Sequence, residues 1–195
     1  DNSLVVYYEA STEKTTVLNL TNHSYFNLIG GGIGNVRNHV VQLYSDELTE
    51  VKPGLIPNGN FIPVKDTPFD FNMPKRIGLE IDDSNEQLRL GRGYDHNYVL
   101  RKSDQKGAEL FATVYEPTSG RIMEVFTDQP GVQFYTANGM RGTPGQYGVE
   151  DGPRSGFCFE TQHYPNSPNH PHFPSTVLRP GEIFKSTTAF TFSAE

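Results

Sequence analysis

Cysteine is nearly missing from this sequence: Cys158 is the only one in 195 residues. A lone thiol cannot close an internal disulfide or build a cysteine-based zinc ribbon. Basic residues are also scarce, 16 Lys and Arg against 23 Asp and Glu, for a formal net charge of −7. That balance lacks the basic footprint that phosphate backbones require, so nucleic acid is not the expected partner. No apolar run approaches the ~18–20 residues of a membrane-spanning helix, and no membrane partner is expected. Charged residues make up only 20% of the chain, which argues against a charge-rich disordered tail. Helical periodicity is confined to one short stretch, residues 84–90. The glycine run at 30–34 lacks the Lys-Ser/Thr of a phosphate-binding loop and reads as a flexible connection. No serine sits in a G-x-S-x-G elbow, which removes the usual setting of a nucleophilic serine.

What is present points to strands. Nineteen Gly and 14 Pro are spread along the chain, among 13 Phe and 10 Tyr. Short aromatic runs punctuated by turn formers predict an all-β fold, a large antiparallel β-sandwich. Strands are expected at 4–8, 15–28, 40–44, 93–100, 132–136, 157–162 and 187–192, with a hairpin pairing 110–115 with 121–127. Pro53-Gly54 and Pro57-Asn58-Gly59 both read as turns, residues 68–78 as irregular surface chain, 165–174 as a Pro-rich loop, and 139–156 as a lid or crossing connection. No repeat or internal boundary divides residues 1–195.

The run 15–28 is unusual. Odd positions put Val17, Asn19, Thr21, His23 and Tyr25 on one face, and even positions put Leu18, Leu20, Asn22, Ser24, Phe26 and Leu28 on the other, a mostly apolar set. The odd face is a polar row ending near a histidine. Other strands also carry isolated polar residues: Asp95 at a strand mouth, Gln133 sharing a face with Tyr135, and Glu160 sharing one with Cys158 and Gln162. A carboxylate in the aromatic run Phe157-Cys158-Phe159-Glu160 is expected to be partly buried, which raises its pKa and suits a base working near neutral pH. The six histidines invite a metal reading, with His170, His172 and His163 close in sequence. No cysteine or compact acidic cluster accompanies them, so they are read as surface-loop residues and no metal is expected.

The run Asn19-Leu20-Thr21-Asn22-His23-Ser24-Tyr25-Phe26-Asn27-Leu28 resembles the signature of the aldose 1-epimerases, or galactose mutarotases. The resemblance continues through Gly93-Tyr94-Asp95-His96-Asn97-Tyr98, Gln129 to Thr136, Gly156-Phe157-Cys158-Phe159-Glu160-Thr161-Gln162, and Leu178-Arg179-Pro180-Gly181-Glu182, in the family's order. It implies the galactose mutarotase-like supersandwich and interconversion of α and β anomers of free hexoses, without metal or cofactor. It further implies Glu160 as the general base, His23 as the general acid, and Asp95 and Gln133 as contacts to a small aldose. Family members carry an upstream segment with an Arg and a second His that this sequence does not show. Residues 1–195 are therefore expected to be the C-terminal portion of a single sandwich domain, incomplete at its N-terminal side. A hexose-6-phosphate epimerase, a non-catalytic carbohydrate-binding sandwich and an inactive fragment are the alternatives. The residues leave oligomeric state and compartment open, with the cytoplasm slightly favoured.

Overall fold

Alternating apolar and polar side chains along short runs commit the chain to antiparallel sheets. A computed structural model describes residues 2–30, 34–103, 107–144, 148 and 150–195. In chain order the strands are β1 (Ser3–Ala10), β2 (Thr16–Val17), β3 (Val40–Leu43), β4 (Ser45–Lys52), β5 (Ile56–Pro63), β6 (Lys75–Arg76), β7 (Asp95–Leu100), β8 (Glu109–Glu116), β9 (Arg121–Thr127), β10 (Gly131–Tyr135), β11 (Thr143–Pro144), β12 (Glu150–Asp151), β13 (Cys158–Gln162), β14 (Val177–Leu178) and β15 (Phe184–Ala194). A six-stranded sheet runs β1-β15-β9-β8-β3-β6 and a five-stranded sheet β13-β10-β7-β4-β5, with two short ladders, β11-β12 and β14-β2. The only α-helix among the described residues, α1 (Glu86–Gly91), is capped by Asn85, whose side chain accepts from the Gln87 amide. No helix among them is long and apolar enough to cross a membrane.

The two large sheets share one buried cluster. Leu43, Val114, Met123, Val125 and Phe190 come from the larger sheet, and Leu48, Tyr98, Val132, Phe134 and Phe159 from the smaller. Phe111 meets Phe159 edge to face across this core, ring centroids 5.6 Å apart. Burying each such side chain contributes about 1.5–3 kcal/mol. On β7, β10 and β13 the core takes His96, Tyr98, Val132, Phe134 and Phe159. The strand period of two then turns Asp95, Asn97, Gln133, Tyr135, Cys158 and Glu160 to the opposite face. Core and polar face are thus built from alternate residues of the same three strands.

The predicted β-sandwich and hairpin stand, but several local expectations do not. Residues 15–28 form a strand only at β2, with a single further bridge at Phe26. Side-chain amides take the place of ladder bonds there: Asn19 bonds the His163 backbone in both directions, and Asn27 donates to the Ser155 carbonyl. Pro57-Asn58-Gly59 lies within β5 rather than in a turn. β5 is an edge strand, where proline is tolerated, and the register shift between Thr49 and Val51 absorbs the irregularity. Residues 68–78 are surface chain only in part: Met73, Pro74 and Arg76 are exposed, but Phe69 and Phe71 are fully buried, and Tyr94 and Tyr98 donate to the Pro68 and Phe69 carbonyls. Nor are all the histidines on surface loops. His39 and His96 are fully buried, the first accepting the Leu28 amide and the second packed 4.7 Å from Phe69. Within the expected lid, β11 pairs with β12, while 145–147 and 149 lie outside the described residues, as does 31–33 of the glycine run.

Candidate active site

β13 is an edge of the five-stranded sheet, and residues 18–26 run along it. The segment is pinned at both ends. Asn19 Nδ2 donates to the His163 carbonyl at 2.9 Å and its Oδ1 accepts the His163 amide at 3.0 Å. At the other end Phe26 and Phe157 exchange both backbone hydrogen bonds, at 2.8 and 2.9 Å. An antiparallel register of 26 against 157 puts position 23 opposite position 160, three residues back on one side and three forward on the other. His23 Nε2 lies 3.4 Å from Glu160 Oε1. The segment needs no ladder to deliver its histidine, because the two anchors fix the register.

Neighbouring strands complete the wall. Gln133 of β10 pairs in register with Glu160, and Asp95 of β7 with Tyr135. Gln133 Nε2 donates to Asp95 Oδ1 at 2.8 Å. His23, Asp95, Gln133 and Glu160 line one open cavity of about 390 Å³, together with Tyr25, Tyr135, Gln162, Leu55 and Pro165. The structure therefore brings all four candidate residues from the sequence together. Tyr135 and Gln162 follow from strand alternation with Gln133 and Glu160. Leu55 and Pro165 come from connecting segments, where no periodic signal marks them.

The electrostatics follow from burial. Glu160 is only 14% exposed, and burial raises its carboxyl above the usual range. His23 pulls it down again, while Asp95 pushes it up. Asp95 is likewise raised by burial and lowered by the Gln133 hydrogen bond and by His23. The Cys158 thiol also lies near His23 and Glu160, a grouping that could in principle hold a metal. Cys158 is fully buried, and burial together with Glu160 and Asp95 pushes the thiol well up, so it is held neutral. What remains reactive at the cavity surface is a carboxylate facing an imidazole, an arrangement suited to moving protons. The histidines grouped by sequence do other work: His170 and His172 contact the Pro57 and Gly59 carbonyls of β5, and His163 contacts Gln129.

Residues 1–191 match the family described as aldose 1-epimerase. The chain belongs to the aldose 1-epimerase family. Galactose mutarotase from Sus scrofa is 44% identical over 191 residues, 97% of this chain and 54% of the relative. Aldose 1-epimerase from Escherichia coli K12 is 36% identical over 197 residues, covering all of this chain and 56% of the relative. Among solved structures, a GalM/aldose epimerase homologue from C. elegans superposes with a TM-score of 0.87 at 27% identity, over 99% of this chain and 56% of that one. Galactose 1-epimerase from Lactobacillus acidophilus gives 0.83 at 28% identity, over 99% and 54%. The chain spans about half the length of these aldose 1-epimerase relatives.

Proposed function

We propose that this protein interconverts the α and β anomers of free hexoses such as glucose and galactose. The observation that carries this reading is the His23–Glu160 pair, 3.4 Å apart on a cavity wall to which, among the described residues, no lysine or arginine contributes. A neutral sugar offers only hydroxyls, which amides and carboxylates bind without a cation. Glu160 takes the proton from the anomeric hydroxyl while His23 gives one to the ring oxygen, and the C1–O5 bond breaks. The open-chain aldehyde turns about C1–C2, and the former ring oxygen attacks the other carbonyl face. That oxygen returns its proton to His23, and Glu160 returns its own to the new anomeric hydroxyl. Asp95 and Gln133 hold sugar hydroxyls during the turn. Every proton is exchanged with these two side chains, and the cycle calls on no cofactor.

A hexose 6-phosphate suits the site less well. Arg121 is occupied by the Leu28 and Ile29 carbonyls, and Arg154 by Asn138 and the Arg92 carbonyl. The chain's correspondence to half of an aldose 1-epimerase supports a further proposal: residues 1–195 are the C-terminal part of a sandwich domain whose remainder adds contacts to the same sugar.

Polarimetry with freshly dissolved α-D-glucose or α-D-galactose tests the reading, on this chain and on any longer polypeptide containing it. Wild type should speed relaxation, and Glu160→Gln should lose about 10²–10⁴-fold of that rate. Relaxation by Glu160→Gln at the wild-type rate would remove Glu160 as the base. Sugar binding with no acceleration in any form would leave a carbohydrate-binding sandwich instead.

A further inference from the structure

His23 is half exposed, and among the described residues its ring makes one polar contact, Nε2 to Glu160. A histidine that moves protons is commonly held by a hydrogen bond to its second nitrogen, which fixes ring plane and tautomer. None of the described residues supplies that bond. Two aromatic rings pack against the imidazole instead. Tyr25 lies over the imidazole, centroids 4.9 Å apart and planes 24° from parallel. Tyr135 meets His23 edge-on at 6.0 Å and 82°, and meets Tyr25 at 6.2 Å and 76°.

We propose that Tyr25 is a positioning residue, whose ring face, braced by Tyr135, holds the imidazole of His23 so that Nε2 points at Glu160 and the sugar ring oxygen. The inference rests on the acid role given to His23 above. Sequence and backbone prepare the stack. Tyr25 follows His23 by two residues, so the two side chains leave an extended segment on the same side. Gly156 lies beneath, where an added Cβ would sit 3.4 Å from the Tyr25 Cβ and ring, in van der Waals contact with both. The brace is itself held, since the Tyr135 hydroxyl accepts the Gly139 amide at 3.1 Å. The Tyr25 hydroxyl has no partner among the described residues, which leaves its ring face as the working surface. Burial, with Cys158, Tyr135, Glu160 and Asp95 nearby, pushes the phenol up to about 12, so the ring stays neutral.

Tyr25→Phe keeps the face and Tyr25→Leu removes it. Tyr25→Phe should keep kcat within about twofold, while Tyr25→Leu should lower kcat roughly tenfold and leave KM within about twofold. The readout independent of turnover is the His23 imidazole Cε1–H resonance. It should be displaced upfield by the tyrosine ring current in wild type and Tyr25→Phe, and lose that displacement in Tyr25→Leu. A wild-type kcat in Tyr25→Leu, a ring-current displacement that survives there, or a Tyr25→Phe as slow as Tyr25→Leu would each overturn the proposal. Full activity in His23→Gln would overturn the acid role beneath it, whereas an inactive His23→Gln beside a wild-type kcat in Tyr25→Leu would overturn the positioning role alone.

Discussion

Glu160 is pulled in opposite directions by its neighbours. Burial and the Asp95 carboxylate favour its protonated form, while His23 favours the charged one, and the net displacement is upward from 4.5. A base with a raised pKa loses activity as pH falls through that raised value, so the acid limb of kcat/KM should lie above an ordinary glutamate's. Asp95→Asn removes one of the two upward influences. Its acid limb should move to lower pH while KM rises through the lost sugar contact, both measurable in a pH–rate series. An acid limb that stays in place would mean that Asp95 does not act on Glu160. Phe157 and Phe159, just before it in the chain, announce the burial of Glu160 in the sequence itself. Its neighbours are not announced, because His23, Asp95 and Gln133 come from three separate stretches whose convergence depends on strand order.

At the scale of the element, the segment 18–26 teaches most. Its alternation sets His23 and Tyr25, which line the cavity, apart from Phe26, which packs on the core, and that much is legible in the sequence. How the segment is held is not, because asparagine amides imitate backbone groups and leave no periodic trace. The same blindness affects 68–74, where Phe69 and Phe71 are core residues outside any strand. β5 escapes for the opposite reason, since turn-forming residues sit in an edge strand whose bulged partner residue Glu50 accepts from both Asn58 and Asn60. Asn19→Ala tests the amide anchor. It removes both bonds to His163 and should cost about 1–3 kcal/mol, read from the urea midpoint. The variant should also lower kcat, since position 23 loses one of the two constraints on its register. Lost stability with an unchanged kcat would show that Phe26–Phe157 alone holds the histidine in place.

Across the whole molecule, two buried histidines tie stability to pH. Burial pushes both His39 and His96 down to about 4. Unfolded, each titrates near 6.5, so below that pH the unfolded chain gains protons that the folded one refuses. Their contribution to stability is full above about 6.5 and declines as pH falls towards 4, by up to about 1.4 kcal/mol per pH unit for each. Urea midpoints at pH 7.5, 5.5 and 4.5 should fall in that order, and a level series would show that neither ring is held neutral. The sandwich itself was readable from composition, because Gly, Pro and aromatics at short spacing admit few other solutions. The division of β7, β10 and β13 between core and cavity has a consequence for errors. Slide any of these strands by one residue and Gln133 or Glu160 enters the core while Phe134 or Phe159 meets solvent. A misregistered copy is then not a stable protein with a damaged site but a chain that does not fold. Folding acts as the proofreader of catalytic geometry, since the step that seals the core also checks the alignment of the groups on its other side.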